Sequence, residues 1–173
     1  MFFICLKLMK ALPSQVWTKA INVTNYFLGK FQINHGEKMS GLREKSDQIC
    51  SVIQVSVKGD PDEFKNWVKT RSSKYVLDLN EEKLISYEWH FSDDGREATL
   101  VELLVDSEGY MQRLKNHMAS PIAAEITDLV DFKGWHIYGN AKPDLKEALK
   151  PMGATFQSYF FGFNHSIQEL KKL

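Results

Sequence analysis

Three residues in this sequence, Glu102, Arg113 and His117, have types and spacing that suit acid–base chemistry. Arg113 and His117 stand one helical turn apart in a stretch with helical periodicity, so with Tyr110 and Leu114 they share one face. A guanidinium one turn away disfavours a charged imidazole, leaving a neutral ring suited to general-base work. The same two residues also read as polar residues flanking an apolar helix stripe. Glu102 alternates with Leu100 and Leu104, and if that strand face is buried its carboxylate needs a partner such as Arg113 or a tyrosine hydroxyl. It therefore reads either as a base or as half of a structural ion pair. Trp67, Tyr75, Tyr87, Trp89, Trp135 and Tyr138 add flat rings with polar edges, which either line a pocket for a planar phenolic or quinone ligand or fill the core.

The elements that must position these residues are written in patterns of two and of three to four. Ile49 to Lys58 is β-branched and alternating, with Ile53, Val55 and Val57 on one face and Gln54 and Ser56 on the other. Asp60-Pro61-Asp62-Glu63 then predicts a helix start, with Asp60 as N-cap, Pro61 at the first helical position and Glu63 completing a capping box. Phe64, Trp67, Val68, Tyr75 and Leu79 form its apolar stripe, which ends at Asn80. Leu84–Phe91 and Ala98–Val105 read as a hairpin around Ser92-Asp93-Asp94-Gly95-Arg96, with Gly95 free to take positive φ. Tyr87 and Trp89 share one face of its first strand and Glu88 and His90 the other.

A second helix starts at Asp106 or Ser107, carries Met111, Leu114 and Met118 on a common face and bends at Pro121, after which Ile122, Ile126, Leu129 and Val130 resume. Phe132–Tyr138 predicts a strand with Trp135 and Ile137 opposite His136 and Tyr138. Pro143–Leu149 predicts a short helix, and Thr155–Phe163 a final aromatic strand. The order β-α-β-β-α-β is an α+β, ferredoxin-like arrangement: an antiparallel sheet with both helices on one face. Its other face, rich in aliphatic and aromatic side chains, predicts a homodimer.

Composition narrows the class of function. The chain has 173 residues, with 22 basic and 22 acidic side chains, so no long-range field recruits nucleic acid or an anionic membrane. Cys5 and Cys50 are far apart and no Cys, His and carboxylate cluster has ligand spacing, so the expectation is reduced thiols, a cytoplasmic setting and no metal site. No apolar run approaches the roughly 20 residues of a membrane span. Residues 1–38 fit no placed element and lack a signal peptide's charge order and cleavage site. Gly36-Glu37-Lys38 is encodable by a purine-rich stretch resembling a bacterial ribosome-binding site, which makes Met39 the expected start, 46–165 the domain and 166–173 a tail.

From about Ile49 to Phe163 the chain resembles the antibiotic biosynthesis monooxygenase superfamily, the dimeric α/β-barrel group that includes quinol monooxygenases and haem-degrading enzymes. The resemblance rests on Tyr87-Glu88-Trp89, Ser92-Asp93-Asp94-Gly95, Val101-Glu102 to Asp106-Ser107-Glu108, Ile137-Tyr138-Gly139 and Pro143-Asp144-Leu145. Members often carry a strand glutamate, an aromatic two positions on and a histidine on the following helix. Here Glu102 matches and Leu104 replaces the aromatic; the histidine position falls on Arg113 in strict register, or on His117, one turn beyond, with a small shift of register. The haem branch's ligand would sit after Ser120-Pro121, where this chain has Thr127 and no histidine before His136. The resemblance implies oxygenation of an aromatic or quinone-like compound without a bound cofactor. His117 or Glu102 would be the base, Arg113 would steady the anion, and Trp67, Tyr87 and Trp89 would hold the ring. The alternative is a non-enzymatic dimeric module of the same fold that binds a small molecule or supplies an interface.

Overall fold

The computed structural model describes residues 42–163. The expected extension 1–38, its Met39 start and the tail 166–173 lie outside them. A short strand β1 (Leu42–Arg43) is followed by β2 (Ile49–Val57), α1 (Pro61–Trp67), a π-helical turn (Val68–Ser72), α2 (Ser73–Asp78) and β3 (Leu84–Phe91). Then come β4 (Glu97–Leu104), α3 (Ser107–Met118), α4 (Pro121–Leu129), β5 (Val130–Tyr138), α5 (Pro143–Leu149), a 3-10 turn (Lys150–Met152), β6 (Thr155–Gln157) and β7 (Gly162–Phe163). The main sheet has the order β3-β4-β2-β5-β6, in which β2, β3, β4 and β5 are antiparallel neighbours in the ferredoxin-like order and β6 adds a parallel edge beside β5. β1 pairs with β7 in a separate two-stranded sheet.

Local chemistry sets the element boundaries. The Asp60 side chain accepts a 2.9 Å hydrogen bond from the Asp62 amide and Pro61 opens α1, while Asp106 Oδ1 caps α3 through the Gly109 amide at 2.8 Å. Gly95 turns the β3–β4 hairpin at φ 70°, its amide bonded to the Ser92 carbonyl. Asn80 ends α2 at φ 48°, the left-handed conformation that asparagine tolerates better than most residues. Pro121 starts α4 outright, so the expected bend is a break between two helices.

Two departures from the sequence pattern matter for the site. The first helix runs on through a π turn that inserts one extra residue, so the buried positions run Phe64, Val68, Ser72 and Val76. Tyr75 and Leu79, expected on the stripe, rotate outward; Leu79 is exposed and Tyr75 half-buried. The second departure is a bulge where β5 meets β2, between Gln54 and Val55: Trp135 pairs with Ile53 but Phe132 with Val55. Strict alternation would put Phe132 on the face of His136, and the extra residue returns it to the helix side. Met118, expected on the apolar face of α3, is exposed, because Tyr110 and Arg113 take the inward positions. The expected last strand is interrupted, with pairing only over β6 and β7.

The core forms two clusters. One, beneath α5, joins Ile49, Leu104, Tyr110, Ile137, Leu145 and Leu149. The other, beneath α1 and α4, joins Val55, Phe64, Val68, Ile126 and Val130 with Trp67 and Trp89 packed against it.

Candidate active site

Between these clusters lies a cavity of about 270 Å³, roofed by α3 and α4 and floored by the sheet. Glu102, Arg113, His117, Trp67, Tyr87 and Trp89 all line it. Each arrives by the periodicity of its own element: Glu102 on the helix-facing side of β4, Tyr87 and Trp89 on that side of β3, Trp67 at the end of α1, and Arg113 and His117 on the inner face of α3. The lining is apolar apart from a small polar group on one wall, the usual composition of a small-molecule site.

The polar wall is centred on Arg113, which is only 4% exposed. Its Nε donates to Glu102 Oε1 at 2.9 Å, its Cζ lies 5.3 Å from the centre of the Tyr87 ring, and Glu81 Oε2 is 3.7 Å from Nε. Arg113 Nη1 is buried and makes no hydrogen bond. Burial pulls the guanidinium down, but the charge and hydrogen bond of Glu102 outweigh it and hold Arg113 above its ordinary value. Burial pushes the Glu102 carboxyl above the usual carboxylate range, and Arg113 offsets only part of that. Of the two helix residues, Arg113 is the one that meets the strand glutamate, and His117 lines the cavity one turn further along α3.

His117 is half-buried, and its ring makes no hydrogen bond to the described residues. Burial, then the Arg113 charge, lowers its pKa to about 4, so the imidazole is neutral at pH 7. Two of the three rings, Trp67 and Tyr87, are held by a polar edge, whereas Trp89 Nε1 is buried and makes no hydrogen bond. Trp67 Nε1 donates to Glu125 Oε2 at 2.7 Å, and Glu125 also pairs with Arg71. The Tyr87 hydroxyl and Ser72 Oγ are 2.7 Å apart, a contact made possible by the π turn that brings Ser72 inward. Trp89 packs edge-on against Phe64 and Tyr87. Burial, above all, raises the Tyr87 hydroxyl's pKa, so it stays protonated.

Sequence reasoning missed several members of the site. Glu81 is a second buried carboxylate behind Arg113, fixed by a 2.7 Å bond from Asn116 Nδ2. Tyr110 lines the cavity and donates to Ser51 Oγ at 2.8 Å, and Trp135 Nε1 donates to the same oxygen at 3.0 Å. Phe132 and Met152 complete the mouth. Trp135 and Tyr110 were visible as core candidates, but Glu81 sits in a connection with no periodic signal. Among the described residues no group of three His, Cys or carboxylate side chains is placed to hold a metal ion, and no helix is long and apolar enough to cross a membrane. His136 is bonded to Thr155 across the β5–β6 edge, on the sheet face opposite Trp135 and Ile137.

The crystal structure of MupZ from Pseudomonas fluorescens superposes on this chain with a TM-score of 0.57 and 13% identity, covering 69% of this chain and 91% of MupZ. The two chains share a fold, the ferredoxin-like α+β arrangement described above. SnoaB, a cofactor-independent oxygenase from Streptomyces nogalater, aligns at TM-score 0.45 and 16% identity over 56% of this chain and 96% of its own. A conserved protein of unknown function from Bacteroides thetaiotaomicron, a possible oxidoreductase, aligns at 0.44 and 17% over 53% and 96%. Likeness at these identities shows the fold and not the chemistry. No family model matches the chain, and no curated protein matches it in sequence.

Proposed function

We propose that the protein oxygenates a phenolic or hydroquinone-like small molecule, with the substrate itself supplying all four electrons that O2 takes up and no bound cofactor taking part. The observation that carries this reading is the convergence of a neutral imidazole, a buried guanidinium and three large rings on one apolar cavity. His117 takes the phenolic proton, Arg113 faces the resulting anion, and Glu102 with Glu81 fixes Arg113. The phenolate carbon then reacts with O2. One oxygen atom ends on the ring carbon as a carbonyl and the other leaves as water, so a hydroxyarene with a free para position becomes a quinone.

The magnitudes assign the roles. Moving a proton from an ordinary phenol near pKa 10 to an imidazole near 4 is uphill by about 8 kcal/mol for separated partners. The site must recover most of that through the attraction of imidazolium and Arg113 for the phenolate in a dry cavity, where such interactions are strongest. Glu102 spends Oε1 on Arg113 and acts as a positioning residue. We further propose a homodimer formed through the sheet face that carries half-buried Cys50, Val52, Val101 and Leu103 beside exposed Tyr138. Sedimentation velocity of Val101→Lys tests it, a monomer being the expected result.

A second reading, a binding module without turnover, is favoured by Leu104: the residue at the family's aromatic position is fully buried beneath α5 and does not line the cavity. Incubation of a panel of reduced quinones and naphthols with isotopically labelled O2 separates the two. Protein-dependent label in the product, lost in His117→Phe, is expected. Tight binding of the same compounds without label incorporation would leave the module reading standing.

A further inference from the structure

The cavity has a closed end and an open one, and α3 runs between them. Arg113 marks the closed end; Met118, five residues and about 7.5 Å further along the helix axis, is 62% exposed at the mouth. Phe132, 54% exposed on β5, and Met152, 46% exposed on the 3-10 turn, line the same cavity as Met118. Single exposed apolar residues are ordinary on any surface. Three large ones, from three separate elements, on the lip of one cavity are an apolar patch contiguous with its interior. Phe132 is there only because of the bulge opposite Gln54 and Val55, which turns it from the outer sheet face to the cavity side.

The closed end has the opposite chemistry. Arg113 Nη1 is buried, makes no hydrogen bond and belongs to a side chain that lines the cavity. A charged donor left in that state is costly unless a ligand atom accepts from it. The volume fixes what lies between: about 270 Å³ is under twice the roughly 150 Å³ that holds benzene in a dry protein cavity. One or two rings are enclosed, and any further part of a ligand must leave across the lip.

We infer that the cavity takes an amphiphile in a single orientation, with an acceptor oxygen at Arg113 Nη1, one or two fused rings between the sheet and α3, and an aliphatic extension lying over Met118, Phe132 and Met152. This rests on the reading that an aromatic ligand enters the cavity, and not on the oxygen chemistry.

The test is binding to the full chain, followed by tryptophan fluorescence and calorimetry. The probes are naphthalene, naphthol, and the same naphthol with ethyl, butyl and hexyl chains para to the hydroxyl. Naphthol should bind about tenfold more tightly than naphthalene, the scale of one hydrogen bond to a charged group. A fully buried methylene is worth about fourfold in affinity, so a chain on a half-open lip should gain about twofold per methylene. In the variant Met118→Ser, Phe132→Ser, Met152→Ser that gradient should vanish, whatever the affinity for naphthol itself becomes. A flat series in the wild type, or a gradient that survives in the triple variant, overturns the orientation. A triple variant that turns a dimer into a monomer by sedimentation assigns the lip to a second copy and also overturns it. Undetectable naphthol binding removes the ring-binding reading as well, whereas an intact series without turnover removes only the oxygenase reading.

Discussion

The packed cluster beneath α5 and the cavity beside it are built on different rules. Beneath α5, Ile49, Leu104, Ile137, Leu145 and Leu149 are each at most 1% exposed and carry no polar side-chain atom. Beneath α3 and α4, the space is left open, and its wall holds one guanidinium between two carboxylates, an imidazole and several ring edges. The first arrangement gains from every contact. The second accepts desolvated charge and an unfilled donor, the kind of local conflict that natural proteins carry at functional sites.

If that contrast is right, the largest single loss comes from the polar wall. Arg113→Met strands Glu102 and Glu81 without their cation and should cost about 3–5 kcal/mol in urea unfolding. Adding Glu102→Met should restore part of it, because a methionine needs no counter-charge. Next is Leu145→Ala in the packed cluster, which should cost about 2–5 kcal/mol through lost burial and a new void. The contrast sharpens in the readout: per folded molecule, Leu145→Ala should leave naphthol affinity unchanged, whereas Arg113→Met should weaken it.

His117 gives a smaller, pH-dependent signature. Its folded pKa, about 4, lies below the unfolded value of 6.5, so the unfolded chain binds the extra proton as pH falls. The stability this neutral ring contributes is whole above pH 6.5 and is lost progressively toward pH 4, by about 3 kcal/mol at most. The quantity to measure is the difference between wild type and His117→Phe, in which the titrations the two proteins share cancel. That difference should be flat above pH 6.5 and swing toward the variant below it. The smallest expected stability change comes from filling the cavity: Leu100→Trp should alter stability by no more than about 1–3 kcal/mol and abolish naphthol binding.

What the sequence made legible follows the same division. Wherever one local rule decides, reading was direct: alternation in β2, the Asp60-Pro61 and Asp106 caps, Gly95 in the hairpin, and Pro143–Leu149 as a helix. For Glu102 the pattern showed that a buried strand face would need a partner, with Arg113 or a tyrosine hydroxyl as candidates; the fold supplies Arg113. Features that break a local rule were not. The π turn shifts the helix phase by one residue, which no pattern of Phe64, Val68 and Tyr75 announces. The bulge that re-aims Phe132, the parallel docking of β6, and the burial of Glu81 in a connection all arise from tertiary packing. Two of them, the π turn through Ser72 and the bulge through Phe132, supply lining to the cavity.

The most direct test of the central claim is oxygen uptake with 1-naphthol, whose para position is free, comparing wild type, His117→Phe and Leu100→Trp against buffer autoxidation. The site described here predicts uptake by wild type above autoxidation, a loss of about 10²–10⁴-fold in His117→Phe, the usual scale of general-base catalysis, and none in the cavity-filled variant. Equal rates in all three proteins and in buffer would contradict it.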